Sequence, residues 1–251
     1  MLPITTSYTL LPSEYIADNI SPILLSYNIN IGLQLLILTF TEPIRASSVQ
    51  PTLITLYNTY NITTNTTMYT LTGSTNIISN KNNIIITMNT YDISNLKLLG
   101  SIGILNYSTY MTYSEQTFAD FAGNPVVPVS IASPLSVSII YPDTIGPSLL
   151  KFDLNFNIYT IILTFSEPIN IHTIQPTAIT LQSRYYTLIG TYYTLTGGTI
   201  ISYTLYTVSI RLNSVDIYNI EVTPDLCRNQ ITSYLTATSH LAFDLLGRSR
   251  V

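Results

Sequence analysis

The chain has 251 residues, only 9% of them are charged, and the formal net charge is −4. Because Lys and Arg are few and nowhere clustered, the sequence lacks the basic surface that neutralises phosphates, and we expect no nucleic-acid partner. No apolar run reaches the roughly 18 residues of a membrane-spanning helix, so we expect no membrane insertion.

The remaining composition favours β-strands with an uncharged polar surface. Ile, Leu, Val, Thr and Tyr dominate, and long runs of the helix formers Ala, Glu and Lys are absent. Asn, Ser and Thr supply most of the polar groups, which suits an extracellular or cell-surface location. The single cysteine, Cys227, cannot form an internal disulfide and is predicted to be a small buried residue.

Taken in chain order, the predicted elements of the first half are short. Residues 33–40 form a strongly apolar run of strand length, and we predict a central strand that is apolar on both faces. Residues 83–88 predict a further strand. Residues 92–99 are the one predicted helical turn, with Asp92 as its N-cap.

The second half carries the same kind of elements. Residues 158–165 predict another central strand, and residues 206–212 predict a further one. Turn residues separate these runs throughout the chain. About seven short strands in each half indicate antiparallel β-sandwiches rather than a parallel sheet.

The two halves also repeat each other with a period of about 125 residues. Three motifs return in the same order: Phe-Thr-Glu-Pro-Ile at 40–44 as Phe-Ser-Glu-Pro-Ile at 165–169, Tyr-Thr-Leu-Thr-Gly at 69–73 and again at 193–197, and Asp-Phe-Ala-Gly-Asn at 120–124 as Asp-Leu-Leu-Gly-Arg at 244–248. A tandem array is more often a mechanical or interaction device than a catalyst.

The repeat sets the predicted domains. Pro- and Gly-punctuated linkers place domain one at residues 18–142 and domain two at 143–251. Residues 1–17 correspond to 126–142, the last strand of domain one, so they are predicted to be an orphan final strand, while domain two lacks its own. We expect this strand to pair with a neighbouring copy or a preceding repeat, by donor-strand complementation. Its predicted contact residues are Pro3, Ile4, Leu10 and Ile16.

In their order and doubled spacing, these motifs resemble bacterial Ig-like repeats of the S-layer and large-adhesin type. Similar repeats occur in giant surface or filament proteins of bacteria and aquatic protists, including mastigoneme-like proteins. The resemblance implies an all-β fold of two tandem antiparallel Ig-like β-sandwich repeats of about 125 residues. It also implies a structural or adhesive role at the cell surface without catalysis. Arg248 stands where the motif has Asn, so that turn is expected to differ.

Acidic residues at matched repeat positions are candidate metal ligands. In an Ig-like sandwich, Asp143, Glu167 and Asp244 should converge where domain two meets domain one, with Asp92 approaching from the other side. Several carboxylates at one junction would suit calcium, which takes six to eight oxygen ligands. The alternative is that each acid caps a turn by accepting backbone N–H bonds. The matched positions of the first repeat are Asp18, Glu42 and Asp120.

The same acids do not indicate an enzyme. Glycosidase carboxylates lie about 5–10 Å apart across a sugar cleft, whereas Glu42 and Glu167 occupy equivalent places in different domains. No nucleophile motif accompanies the two histidines. We therefore predict no catalytic residues and no obligatory cofactor, with calcium as the one possible ligand.

Surface features allow two interpretations of the protein's partners. Sequons mark Asn19, Asn61, Asn65 and Asn106 as glycosylation candidates. The main interpretation is a structural subunit or segment of an extracellular filament or surface array, assembled head to tail from copies of itself or adjacent repeats. The alternative is an adhesin stalk or carbohydrate-binding module that reads glycans with exposed tyrosines around residues 185–193.

Overall fold

The structure, a computed structural model, describes residues 11–186 and 190–249. In these ranges the chain forms 16 β-strands and two α-helices, joined by turns and short 3-10 helices. The predicted all-β class is therefore confirmed. Each strand holds two to seven residues, as expected for a chain in which turn residues interrupt every apolar run.

From residue 11 onward, the first half contains nine strands and one helix. Strands β1 to β6 span Leu24–Asn30, Leu35–Phe40, Ile54–Tyr57, Met68–Thr70, Asn76–Asn80 and Asn83–Thr87. Helix α1 follows at Thr90–Leu99, and strands β7 to β9 span Tyr110–Tyr113, Leu135–Ser136 and Ile139–Tyr141.

The second half contains seven strands and one helix among its described residues. Strands β10 to β15 span Leu149–Asn155, Thr160–Phe165, Ile179–Gln182, Tyr192–Thr194, Thr199–Tyr203 and Thr207–Arg211. Helix α2 spans Ser214–Val222, and strand β16 spans Tyr234–Ala237.

The chain forms two compact units. Unit 1 contains the described residues up to Ile29, with Leu35–Asn89 and Asn106–Ile140. Unit 2 contains Asn30–Gln34, Thr90–Leu105 and the described residues from Tyr141 onward. Helix α1 therefore belongs to unit 2, although the sequence repeat assigns it to the first half of the chain.

Four sheets contain the strands, and their resolved pairings are antiparallel. One sheet has the order β5-β6-β2-β1-β9, and another has the order β4-β3-β7-β8. The strands of the second half form sheets of order β10-β11-β15-β14 and β13-β12-β16. Strands β2 and β11 lie between partners, as expected for the most apolar runs of the sequence.

Corresponding strands of the two halves pair in the same register. Strand β3 lies between β4 and β7, and β12 lies between β13 and β16. Thr55 faces Thr70 across one ladder, and Thr180 faces Thr194 across the other. In both pairs the hydroxyl oxygens are 2.8 Å apart. Cross-strand threonine pairs of this kind stabilise neighbouring strands.

Unit 2 buries one hydrophobic core between its two sheets. Ile161 and Leu163 of β11 and Ile210 of β15 share this core with Ile179 and Leu181 of β12, which lies in the other sheet. All five side chains have no accessible surface. Alternate residues of both sheets therefore point towards each other, which is a sandwich-like arrangement.

Two sequence expectations about helices are wrong. Helix α2 was not predicted, since residues 92–99 were the one predicted helical turn, and its Val and Ile residues have low helix propensity. Its Asn213 cap, whose side chain accepts a bond from the Asp216 amide, outweighs that preference. Helix α1 begins at Thr90, so Asp92 lies inside the first turn and is fully buried rather than being the N-cap.

Candidate functional site

Three carboxylates that the sequence singled out come together in unit 2. Ligand atoms of Asp143, Glu167 and Asp244 all lie within 4.8 Å of one another. Asp143 follows β9 and Glu167 follows β11, while Asp244 pairs with Ile169 through an isolated bridge. Asp143 and Asp244 are buried, with exposed fractions of 8% and 1%.

Turns fix two of these acids in place. The Oδ1 atom of Asp143 accepts the Ile145 amide at 3.0 Å. The Oδ1 atom of Asp244 accepts the amides of Leu246 and Arg248 at 2.9 and 2.8 Å. These bonds are the turn caps that the sequence offered as the alternative to calcium.

Lys97 supplies a buried positive charge to the same group. Helix α1 carries it, and its Nζ atom donates to Asp143 Oδ2 at 2.6 Å and to Glu167 Oε2 at 2.5 Å. Only 7% of the Lys97 side chain is exposed. The sequence does not predict a role for this residue, because nothing local links a lysine on α1 to acids 46 and 70 positions away.

Arg248 supplies the second positive charge. Its Nε and Nη2 atoms donate to Asp244 Oδ2 at 2.8 and 2.5 Å, and Nη2 lies 3.6 Å from Asp143 Oδ2. This residue is the departure from the repeat motif noted in the sequence. We call Lys97, Asp143, Glu167, Asp244 and Arg248 the ionic cluster.

The pKa values of the ionic cluster follow from burial and pairing. Burial alone would lower the pKa of Lys97, but its hydrogen bonds to Asp143 and Glu167 outweigh burial and raise the pKa. Burial would raise the pKa of Asp143, but the bonds from Lys97 and Ile145 lower it. Burial raises the pKa of Glu167, and the neighbouring charges of Asp143 and Asp244 add to this, against the opposing effect of Lys97.

The ionic cluster does not fit calcium. Calcium takes six to eight oxygen ligands and no ammonium or guanidinium group among them. Here Lys97 Nζ already contacts two of the three carboxylates, and Arg248 contacts the third. The two side chains supply the positive charge that a metal would otherwise provide. Asp92, which sequence analysis expected to approach this group, does not belong to it.

The matched acids of the first half form a second group, in unit 1. Ligand atoms of Asp18, Glu42 and Asp120 also lie within 4.8 Å of one another. Asn124 donates to Asp120 Oδ2 at 2.8 Å, in the place that Arg248 takes in the ionic cluster. Within residues 11–186 and 190–249, no Lys or Arg side chain forms an ion pair with this group.

Burial, charge repulsion and hydrogen bonding shift the pKa values of Glu42 and Asp120 in opposite directions. Burial and the charges of Asp18 and Asp120 raise the pKa of Glu42. Burial would raise the pKa of Asp120, but bonds from the Asn124 side chain and from backbone amides lower it. Asp18 is exposed, and its Oδ1 accepts the Ile20 amide at 3.0 Å. Asp18 and Asp120 therefore each cap a turn.

Asp92 and its counterpart Asp216 are buried inside the fold. Both have no accessible surface. Asp216 Oδ1 accepts the Tyr193 hydroxyl at 3.0 Å, the Thr196 amide at 2.9 Å and the Thr196 hydroxyl at 2.7 Å. These bonds tie helix α2 to the end of strand β13, so Asp216 has a structural role.

The remaining candidates lie at the surface or outside the described ranges. Asn19, Asn61 and Asn65 are exposed. Asn106 is also exposed, but its Nδ2 atom donates to the Ser138 carbonyl at 3.3 Å, which occupies the atom that glycosylation would modify. Ile16 is 80% exposed. The other predicted assembly residues, Pro3, Ile4 and Leu10, lie outside the described residues.

Comparison of the chain with protein-family models, with curated proteins and with solved structures finds no match. Among the described residues, neither helix has the length and apolar character required to cross a membrane.

Proposed function

We propose that the chain is a structural subunit or segment of an extracellular filament or surface array, built from two tandem Ig-like sandwich repeats. The matching registers of β3 and β12 with their neighbours support the repeat. The doubled order of sequence motifs supports it independently. Ig-like repeats joined in series are suited to spanning distance rather than to binding a small substrate.

The ionic cluster is the observation that carries this proposal. Lys97 comes from a helix that lies, by sequence, in the first repeat, and Glu167 comes from the second repeat. The ion pair that joins them is buried within unit 2. A buried contact between consecutive repeats holds an array together. The ionic cluster as a whole pairs each of the three carboxylates with Lys97 or Arg248.

Electron microscopy of the full chain tests the proposal directly. Negative-stain images at increasing protein concentration should show linear fibres or a regular lattice. Light scattering on the same samples should report mass that grows with concentration. Particles that remain single chains at every concentration would contradict a filament or array.

A group of exposed tyrosines favours one second candidate, a carbohydrate-binding module. Tyr185 and Tyr186 are 72% and 74% exposed, and their ring centroids are 5.1 Å apart. The ring centroid of Tyr234 lies 6.1 Å from that of Tyr185. Exposed aromatic faces of this kind can stack on sugar rings. Glycan-array binding that is lost in Tyr185→Ala, and retained in the control Tyr60→Ala, would favour this candidate.

A further inference from the structure

Unit 2 contains an open groove beside two sheet edges. It has a volume of about 360 Å³ and lies between β10 and the segment that precedes β16. Strand β10 is the last strand of one sheet, and β16 is the last strand of the other. Each therefore has one edge with no partner strand among the described residues. The groove is lined in part by Phe152, Leu154, Phe156, Cys227, Gln230 and Ser233.

In the first half of the chain, residues 135–141 cover the corresponding edges. Strand β8 pairs with β7, and β9 lies beside β1. The Val137 amide donates to the Thr109 carbonyl at 3.0 Å, and the Ser138 amide donates to the Tyr27 carbonyl at 2.9 Å. The Val137 side chain is 4% exposed, whereas its neighbour Ser136 faces solvent.

The side chain of Asn106 holds this covering segment in place. Its Nδ2 atom donates to the Ser138 carbonyl at 3.3 Å, and its Oδ1 atom accepts the Ile140 amide at 3.2 Å. The Asn106 side chain thus forms hydrogen bonds with one backbone carbonyl and one backbone amide of the covering segment. A covering strand therefore needs three kinds of partner: two backbone carbonyls, one amide side chain and an apolar surface.

The groove of unit 2 presents the same partners. Strand β16 pairs with β12 in the register of β7 with β3. Strands β10 and β1 are each hydrogen-bonded to the next strand along the chain, and the Ser166 amide bonds the Ser148 carbonyl as the Thr41 amide bonds the Ile23 carbonyl. Phe152 therefore corresponds to Tyr27, Ser233 to Thr109, and Gln230 to Asn106. Phe152, Leu154 and Phe156 are only partly buried against the core, whereas Tyr27 is fully buried. Apolar surface is open where a covering strand would bury it.

Residues 11–16 occupy the place of such a strand in the repeat. The repeat aligns Pro12 with Val137 and Ser13 with Ser138. Residues 11–20 are all exposed and belong to no strand. Among them, Leu11, Tyr15 and Ile16 are 92%, 81% and 80% exposed, so this stretch leaves apolar side chains uncovered. These residues therefore do not fill the groove of their own chain.

We infer that residues 11–16 of a second copy bind this groove as an added strand. Pro12 takes the place of Val137 against the apolar wall and, having no N–H, leaves the Ser233 carbonyl unbonded, while the Ser13 amide donates to the Phe152 carbonyl. Gln230 bonds the backbone on either side, as Asn106 does. This inference rests on the proposed function, because it identifies the contact by which copies join.

Adjacent substitutions in the added strand test the inference. Pro12→Asp places a carboxylate at the inward position, against the apolar wall of Phe152 and Leu154, and should weaken self-association at least about tenfold. Arg228 also lines the groove, but its Nη2 atom already donates to the Glu221 and Thr223 carbonyls. Leu11→Asp is the matched control, since its counterpart Ser136 faces solvent, and it should leave association nearly unchanged. Both residues lie in an exposed segment, so circular dichroism should show the same fold and melting temperature. Equal sedimentation behaviour of the two variants would overturn the inference.

Cross-linking to the single cysteine locates the contact. Ala17 aligns with Pro142, and Cys227 corresponds to Gly103; Pro142 and Gly103 line one cavity together. Under copper–phenanthroline oxidation, Ala17→Cys should form a disulfide with Cys227 of another copy. Glu14→Cys should not, because its counterpart Ile139 is 44% exposed.

The outcomes separate this inference from the filament proposal. Disulfide-linked copies that form no fibres would retain the groove contact and contradict the filament. Fibres that persist in Pro12→Asp would retain the filament and overturn the groove contact. Cross-linking of Ala17→Cys that survives Cys227→Ser, or that Glu14→Cys matches, would also overturn it.

Discussion

A buried ammonium group is stable only where anions surround it, and Lys97 meets this condition through Asp143 and Glu167. The carboxylates depend on Lys97 in turn, because their own charges repel each other. Arg248 compensates only Asp244 closely, since it lies 3.6 Å from Asp143. Lys97 is therefore the residue on which the ionic cluster depends most.

Lys97→Met should lower the free energy of unfolding by about 3 kcal/mol, because it leaves two buried carboxylates without their cation. Lys151→Met is the control, since Lys151 pairs with Asp153 where both side chains are 65% and 49% exposed. The control should change stability by less than about 1 kcal/mol. Urea denaturation measures both, and equal losses would show that burial of the pair is unimportant.

Stability should also respond to acid through Asp143. Its pKa in the folded protein is below the ordinary 3.8, because the bonds from Lys97 and Ile145 outweigh burial. Its contribution is therefore fully present above the unfolded pKa and is lost as pH falls through the folded pKa. The difference in unfolding free energy between the wild type and Asp143→Asn should be constant above about pH 5 and shrink below about pH 4.

Denaturant titrations at a series of pH values measure that difference. Asp153→Asn provides the comparison, because Asp153 is an exposed acid whose pair with Lys151 faces solvent. A difference for Asp143→Asn that grows as the pH falls would reverse the expected sign. In that case the carboxylate of Asp143 would destabilise the folded protein rather than stabilise it.

The sequence predicted some residues of the ionic cluster but not others. Matched positions identified Asp143, Glu167 and Asp244, because a repeat that keeps an acid in both copies makes it visible. Lys97 has no such mark, since its contacts are non-local and Glu221 stands at the corresponding place in the second half. The sequence therefore predicted the carboxylates but not the positive charge of Lys97, whose pairing with two of them is visible only in the tertiary structure.

At the scale of elements, strand patterns were more informative than helix patterns. Strands β2 and β11 lie within the predicted apolar runs, each ending at the predicted Phe. Helix α2 was missed, although Asn213 followed three residues later by Asp216 is a helix-start signal. Its Val and Ile residues have low helix propensity. The hydrogen bonds from Tyr193 and Thr196 to Asp216, which stabilise the helix, form only in the folded chain.

Asp216→Ala should loosen helix α2. The substitution removes the acceptor of the Tyr193 hydroxyl and of the Thr196 amide and hydroxyl, and we expect a loss of about 2 kcal/mol. Hydrogen exchange of the α2 amides should speed up relative to the core strands. Tyr218→Ala, which changes a 65% exposed residue of the same helix, should leave exchange nearly unaltered. Equal protection in both variants would contradict the role assigned to Asp216.

At the scale of the whole molecule, few residues are charged, and part of that charge is buried. Only 9% of the residues are charged, and five of them form the ionic cluster. The outer faces carry paired threonines, asparagines and tyrosines, whose hydrogen bonds and apolar contacts are short-ranged. We therefore expect contacts between copies to use mainly backbone pairing and apolar burial, which is what the groove of unit 2 offers.

Assembly should consequently be almost independent of salt. Between about 0.05 and 0.5 M NaCl the screening length falls from roughly 14 to 4 Å, which weakens exposed ion pairs but not strand pairing or apolar contacts. Sedimentation velocity should therefore give the same distribution of assembled species at both concentrations. Urea denaturation in the same buffers provides the control, because it reports whether salt changes the fold itself. Complexes that dissociate as salt rises, with unchanged stability, would mean that exposed charges rather than an added strand join the copies.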